Sequence, residues 1–200
     1  MAVPSSASYL NRFILSFGFF AMSILDSQDR QGQVGSRVAV YTGSFDPVTL
    51  GHLHIIERAS PLFDELVIGI GINADKRSLF EPDQRIELVT RVTGHLPNVR
   101  VAVFTGLAVD FVKSIKARVM VRGIRPLTDI AGEFTMMMAN QQLDPEIETV
   151  FLMAAEQYAH VSSSLLKQIA MLSDNDEQLA KFVPREIIPS LRERMRESED

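Results

Sequence analysis

The chain has 200 residues, of which 46% are hydrophobic, and it contains no cysteine. Its length suits one ordinary domain, and the lack of cysteine excludes disulfides and thiolate chemistry and fits a reducing, cytoplasmic setting. The net charge of −5 argues against broad nucleic-acid binding. The sequence has no run of about 18 apolar residues, so a membrane-spanning helix is not predicted.

Residues 1–36 differ in composition from the rest of the chain and are predicted to form a flexible N-terminal extension. The alternative for this segment is a signal peptide. That alternative needs a basic start and a small-residue cleavage site, whereas Arg12 is the only basic residue before Ala21-Met22-Ser23, which matches such a site poorly. Residues 37–200 are expected to form a single domain.

From residue 37 onward, apolar strands alternate with amphipathic helices. Strands are predicted at 37–42, 65–71, 99–104, 119–121 and 147–153. Helices are predicted after Pro47 and at about 82–95, 107–117, 128–143, 162–171 and 184–195. This alternation predicts βαβ units, and therefore an α/β fold with a five-stranded parallel sheet covered by helices on both faces.

The first strand, turn and helix contain the strongest functional signal. Gly43 ends the strand, Asp46-Pro47 favours a turn, and a helical pattern follows. Backbone N–H groups at the start of that helix favour an anion such as phosphate, and His52 lies in its first turn. His54 falls on another face of the helix, so a two-histidine metal clip is not expected, and no metal site is predicted.

Polar candidates also follow other strands. Ligands of open parallel sheets bind outside the carboxyl ends of the strands. Such positions are held by Lys76 after strand two, Arg122 and Arg125 after strand four, and Tyr158 and residues 162–164 after strand five. Each residue alone could be a solvated side chain or an ordinary serine cap. Together they predict a polyphosphate site.

Four motifs resemble those of a known enzyme family. Residues 42–47 (Thr-Gly-Ser-Phe-Asp-Pro) and 49–52 (Thr-Leu-Gly-His) resemble the nucleotidyltransferases with the (H/T)xGH signature, and among them the bacterial phosphopantetheine adenylyltransferases. Residues 122–125 (Arg-Gly-Ile-Arg) and 161–165 (Val-Ser-Ser-Ser-Leu) resemble two further motifs of that family. The resemblance spans about residues 37–184. It implies a Rossmann-like nucleotidyltransferase fold and transfer of the adenylyl group of ATP to 4′-phosphopantetheine, in coenzyme A biosynthesis.

The resemblance also implies roles for the matching residues. Catalytic charge stabilisation is implied for His52, Lys76 and Arg125. Binding of 4′-phosphopantetheine is implied for Ser44, Lys76, Ala108 and Arg122. Nucleotide binding is implied for Ser44, Phe45, His52, Gly123, Ile124, Arg125, Glu133, Tyr158, Ala159, His160, Val161, Ser162, Ser163 and Ser164. Mg²⁺ bound to ATP is the implied cofactor, and a homo-oligomer, a hexamer, is the implied assembly.

Some positions depart from the family pattern, and alternatives stay open. Ala108 and Gly132 replace larger residues, which leaves the shape of the pantetheine pocket open. Met136, Met137 and Met138 are predicted as core, with an oligomer contact as the second interpretation. Two alternative functions stay open. The chain could be another small-molecule nucleotidyltransferase or a nucleotide-binding regulatory module without catalysis. Pyrophosphate release and a panel of phosphate acceptors would separate them.

Overall fold

The structure is a computed structural model that describes residues 36–73, 78–125 and 130–197. Its centre is a parallel sheet of five strands: β1 (Val38–Gly43), β2 (Glu65–Ile72), β3 (Val99–Thr105), β4 (Val119–Ile124) and β5 (Glu148–Met153). The strands lie in the order β3-β2-β1-β4-β5, as in Rossmann-like sheets. The predicted α/β fold with a five-stranded parallel sheet is confirmed. The predicted extension at 1–36 lies outside the described residues, apart from Ser36.

The helices connect the strands as the sequence pattern predicts. They are α1 (Leu50–Ala59), α2 (Pro82–Thr93), α3 (Ala108–Ser114), α4 (Ile130–Leu143), α5 (Ser163–Leu172), α6 (Asp176–Leu179) and α7 (Ile188–Glu197). The short α6 is not predicted, and the predicted helix at 184–195 divides into a 3-10 turn (Arg185–Ile187) and α7. Within the described part of the chain, no helix is long and apolar enough to cross a bilayer.

Two hydrophobic cores lie on the two faces of the sheet. Tyr41 of β1 belongs to one core with Ile56 of α1 and Leu191 of α7. Val40, the preceding residue of β1, belongs to the other core with Val112 of α3. Successive residues of a strand point to opposite faces of the sheet. Val40 and Tyr41 are both apolar because helices cover both faces.

Strand β4 continues beyond Val121, where the sequence pattern ends it. Gly123 is a weak strand former, but Arg122 is paired with Phe151 and Ile124 with Met153 in the register of β4 and β5. Pairing with a neighbouring strand outweighs the local propensity. Arg122 therefore lies within β4 instead of after it, which corrects the prediction of a strand at 119–121.

The methionines of α4 are not all core residues. Met136 and Met138 are 55% and 58% exposed, so the core prediction is wrong for these two. Phe134 on the same helix is 45% exposed. A helix with this many exposed apolar side chains has an uncovered apolar face.

Candidate active site

A cavity of about 280 Å³ opens where β1 and β4 end. The order of the strands reverses between these two neighbours, and open parallel sheets bind ligands at this point. Its walls come from the ends of both strands, from the first turn of α1, from α4, and from the N-terminus of α5. The volume is close to the lower end of the range for small-molecule sites.

Most of the predicted site residues line this cavity. They are Ser44, His52, Arg122, Gly123, Arg125, Glu133, Tyr158, Val161, Ser162, Ser163 and Ser164. His52 and Arg125 are far apart in the sequence, yet the ends of β1 and β4 bring them to one cavity. Lys76, the third predicted catalytic residue, lies outside the described residues.

Two predicted nucleotide-binding residues are buried under the site. Phe45 is fully buried, has a φ of 45°, and its ring centroid lies 5.0 Å from that of His52. Ile124 is 6% exposed. Neither residue lines the cavity, and their predicted roles stay predictions.

Three other predicted residues do not line the cavity. Ala108 begins α3 and packs against the core on the opposite face of the sheet from α1. Ala159 follows the 3-10 turn Glu156–Tyr158, and the ring of His160 packs edge-on against Phe182 at 5.8 Å. Their predicted roles also stay predictions.

Thr49 fixes the ring of His52. The hydroxyl of Thr49 accepts a hydrogen bond from the backbone N–H of His52 at 3.3 Å, and the backbone N–H of Thr49 donates to Nδ1 of His52 at 3.2 Å. An acceptor Nδ1 carries no proton, so in the neutral ring the proton lies on Nε2. Thr49 is not among the predicted site residues. The signal in the sequence that could have identified it is a capping box in which histidine replaces the usual Glu or Gln.

The surroundings keep this imidazole neutral. Burial, and then the positive charges of Arg125 and Arg122, lower the pKa of His52 from 6.5 to about 4. Near neutral pH the ring is therefore a hydrogen-bond donor through Nε2, without a net charge. It can donate to a ligand oxygen while the two arginines supply the positive charge.

The lowered pKa predicts a loss of stability in mild acid. The unfolded chain protonates His52 near pH 6.5 and the folded chain near pH 4, so stability falls as the pH drops through this window. Urea titrations at about pH 7 and pH 5 should show that wild type loses about 2 kcal/mol relative to His52→Asn. An equal response of both proteins to pH would contradict the lowered pKa.

Loss of the Thr49 cap should affect stability and turnover together. Thr49→Val keeps the shape of the side chain but removes the hydroxyl, which should cost about 1 kcal/mol of unfolding free energy. Thr49→Ser keeps the hydroxyl and should resemble wild type. Urea unfolding and turnover of both variants provide the test, and equal stability of Thr49→Val and Thr49→Ser would count against the cap.

Glu133 and Thr42 hold the guanidinium group of Arg122. Its Nε and Nη2 donate to the carboxylate of Glu133 at 2.7 and 2.6 Å, and its Nη1 donates to the carbonyl and hydroxyl of Thr42 at 2.6 and 3.1 Å. A bidentate pair of this kind fixes the plane of the guanidinium. Glu133 thus reaches Arg122, while its predicted nucleotide contact stays a prediction.

The N-terminus of α5 supplies further hydrogen-bond donors. Ser162 caps this helix by accepting from the backbone N–H of Leu165 at 3.1 Å. Arg125 lies beside it, because its Nη1 donates to the carbonyl of Val161 at 3.1 Å. The partial positive charge of a helix N-terminus therefore faces the same cavity as the guanidinium of Arg125.

This combination of groups suits phosphate chemistry. The cavity contains a neutral imidazole donor, two guanidinium groups and a helix N-terminus, and one of the guanidinium groups, that of Arg122, is paired with the Glu133 carboxylate. Such donors can stabilise negative charge on phosphate oxygens. Over the ranges that the structure describes, no three His, Cys, Asp or Glu side chains are placed to hold a metal ion.

Comparison with known proteins gives consistent similarities. Residues 40–169 match a family model described as cytidylyltransferase-like. A phosphopantetheine adenylyltransferase from Rhodopirellula baltica is 73% identical over 174 residues, covering 87% of this chain and 97% of that relative. One from Clostridium botulinum (strain Alaska E43) is 50% identical over 152 residues, covering 76% and 94%. A nicotinic acid mononucleotide adenylyltransferase from Plasmodium falciparum, solved with APC, has a TM-score of 0.56 at 13% identity, covering 82% of this chain and 96% of that chain. This last similarity shows the fold alone.

Proposed function

This chain belongs to the phosphopantetheine adenylyltransferases, and we propose on that basis that it transfers the adenylyl group of ATP to 4′-phosphopantetheine. It is a nucleotidyltransferase of coenzyme A biosynthesis, and its products are dephospho-coenzyme A and pyrophosphate. The observation that carries this function is 73% identity across 97% of the R. baltica relative.

We propose a single in-line displacement. A phosphate oxygen of 4′-phosphopantetheine attacks the α-phosphorus of ATP, the bond from that phosphorus to the oxygen bridging to the β-phosphate breaks, and pyrophosphate leaves. The chain has no cysteine to form a thiol-linked intermediate. A transfer of this kind depends mainly on positioning and on stabilising charge around phosphorus, which the donors of the cavity are suited to supply.

On the nucleotide side, the triphosphate would lie between His52, Arg125 and the N-terminus of α5. Nε2–H of His52 would donate to an oxygen of the reacting phosphate. Arg125 would stabilise the charge that develops as pyrophosphate leaves, since arginine suits phosphate geometry. Support for this placement comes from the shared cavity that these groups line.

On the acceptor side, Arg122 and Ser44 would bind 4′-phosphopantetheine. Both line the cavity, and the bidentate contact with Glu133 keeps Arg122 in one orientation. Lys76 joins this proposal through the family resemblance alone. Ala108 belongs to it in the same way, as a residue near the pantetheine chain.

We also propose Mg²⁺ as the cofactor, bound to ATP. Mg²⁺ commonly keeps several waters and is held by substrate phosphates, so it would reduce the negative charge of the triphosphate that the attacking phosphate must approach. Turnover should be lost when EDTA removes the ion and should return with added Mg²⁺. Full turnover in EDTA would contradict this.

We propose that the enzyme is a cytoplasmic homo-oligomer, a hexamer by family resemblance, in which residues 37–200 form one adenylyltransferase domain. Ile130, Phe134 and Met138 recur at four-residue spacing on α4 and are 45%, 45% and 58% exposed. Exposed apolar faces often mark protein interfaces. Light scattering should give a multiple of the 22.3 kDa chain mass, and a monomer would contradict the assembly.

The function can be tested by product analysis. ATP is incubated with 4′-phosphopantetheine, nicotinate mononucleotide and glycerol phosphate in separate reactions, and the adenylylated products are identified by mass spectrometry. We expect dephospho-coenzyme A as the main product. Faster adenylylation of another acceptor would assign the enzyme to a different reaction.

A further inference from the structure

The carboxylate of Asp46 joins three separate parts of the chain. Asp46 is 6% exposed, and its oxygens accept hydrogen bonds from the backbone N–H groups of Leu79 and Phe80, both at 2.8 Å. Oδ2 also accepts from Nζ of Lys167 at 2.5 Å. A buried carboxylate is costly unless it is paired and hydrogen-bonded, and these three donors meet that need.

Lys167 connects Asp46 to the helix that borders the cavity. It lies four residues after Ser163 on α5, and therefore on the same face of that helix. The hydroxyl of Ser163 donates to the carbonyl of Pro47 at 2.9 Å. The turn at residues 44–47 is thus bonded to two successive turns of α5, by Ser163 and by Lys167.

A second buried group holds the other end of the same turn. Arg85 of α2 is 2% exposed, and its Nη1 donates to the carbonyl of Ser44 at 3.1 Å. Ser44 and Ser163 line the cavity, whereas Asp46, Lys167 and Arg85 do not. The latter three side chains make no direct contact with the cavity and instead hold the segments that form its wall.

We propose that Asp46 and Lys167 are positioning residues for both substrates. Their ion pair fixes the turn at 44–47 against α5 on the nucleotide side and against residues 79–80 on the other side. In the sequence, Leu79 follows Lys76 by three residues, and the family resemblance implies that Lys76 binds the acceptor. This inference rests on the proposed function, because it assigns the two sides to ATP and to 4′-phosphopantetheine.

The chain offers a control pair that matches in the burial of its carboxylate. Nζ of Lys113 lies 2.9 Å from Asp144, whose side chain is 9% exposed, and the side chain of Asp46 is 8% exposed. The two lysines differ, because the side chain of Lys113 is 69% exposed and that of Lys167 is 26% exposed. Asp144 also accepts a hydrogen bond from a backbone N–H, that of Glu146. Lys113→Met therefore breaks a similar ion pair on α3, away from the cavity.

The test compares Lys167→Met, Asp46→Asn, Lys167→Arg and Lys113→Met with wild type. We expect Lys167→Met and Asp46→Asn to lower kcat/KM about tenfold for both substrates, because small misplacements of reacting groups are costly. Lys167→Arg keeps the charge and should recover most of the activity. Lys113→Met should stay within about twofold of wild type, even if its thermal stability falls.

Hydrogen exchange gives a readout that does not need turnover. Loss of the ion pair should loosen the Asp46 carboxylate, so the amides of Leu79 and Phe80 should exchange about tenfold faster in Lys167→Met and at the wild-type rate in Lys113→Met. Wild-type kcat/KM in Lys167→Met, a loss confined to one substrate, or unchanged exchange would each overturn the inference. An inactive wild type would refute the proposed function and with it the assignment of substrates to the two sides, whereas unchanged exchange in an active wild type would refute the positioning role alone.

Discussion

His52→Ala is expected to fold like wild type and to lose turnover by about a hundredfold or more. The reason is that a preorganised donor to a developing oxyanion contributes about this much when it is removed from an enclosed site. Nε2 of His52 is such a donor, because Thr49 occupies Nδ1 and the low pKa keeps the ring neutral. Turnover is measured by pyrophosphate release at saturating substrates, and folding by circular dichroism and urea unfolding.

Two further variants make this result specific. His52→Gln keeps a side-chain N–H donor and should recover part of the lost turnover. His95→Ala removes a histidine that is half exposed and pairs with Glu57 at 3.2 Å, and it should leave turnover unchanged. If His52→Ala turned over at nearly the wild-type rate, His52 would have no part in the mechanism.

Arg125→Ala is expected to lower kcat/KM for ATP by about a hundredfold. Its guanidinium lies at the N-terminus of α5, where it donates to the carbonyl of Val161, and the proposal places the leaving pyrophosphate there. Arg125→Lys keeps the charge but loses the planar fork, so it should recover only part of the activity. Steady-state kinetics with each substrate varied in turn provide the measurement.

A distant arginine serves as the control for this prediction. Arg118 has a side chain that is 77% exposed and lies 4.0 Å from Glu146, so Arg118→Ala should leave the kinetics unchanged. An effect of Arg125→Ala on the KM for 4′-phosphopantetheine alone would place Arg125 on the acceptor side and contradict the assignment.

The fold could be predicted because helices cover both faces of the sheet. Strands such as β1 carry apolar residues on both faces, and the intervening helices show a clear helical period. The end of β4 could not be predicted in this way. It depends on the pairing of Arg122 with Phe151 of β5. The residues around Arg122 in the sequence do not indicate that partner.

Site residues that belong to recognisable sequence motifs could be predicted. Site residues that depend on a partner far away in the sequence could not. His52 and Arg125 stand in recognisable motifs, and the strand order brings them together. Asp46 and Lys167 are 121 residues apart, so neither residue's neighbours in the sequence indicate the ion pair. Phe45 stands inside a binding motif, yet its side chain belongs to the core.

On α4, residue type alone led to a wrong prediction of burial. Met136 and Met138 have a composition typical of a core, but both are exposed. The residue type is the same whether the side chain is buried or exposed. The sequence could therefore identify an apolar helix without indicating which of its side chains are buried.

The most direct test of the whole account is pyrophosphate release from ATP in the presence and absence of 4′-phosphopantetheine. We predict rapid release that requires both compounds and yields one dephospho-coenzyme A for each pyrophosphate. Release from ATP alone at the same rate, or no release with both present, would contradict direct transfer from one bound substrate to the other.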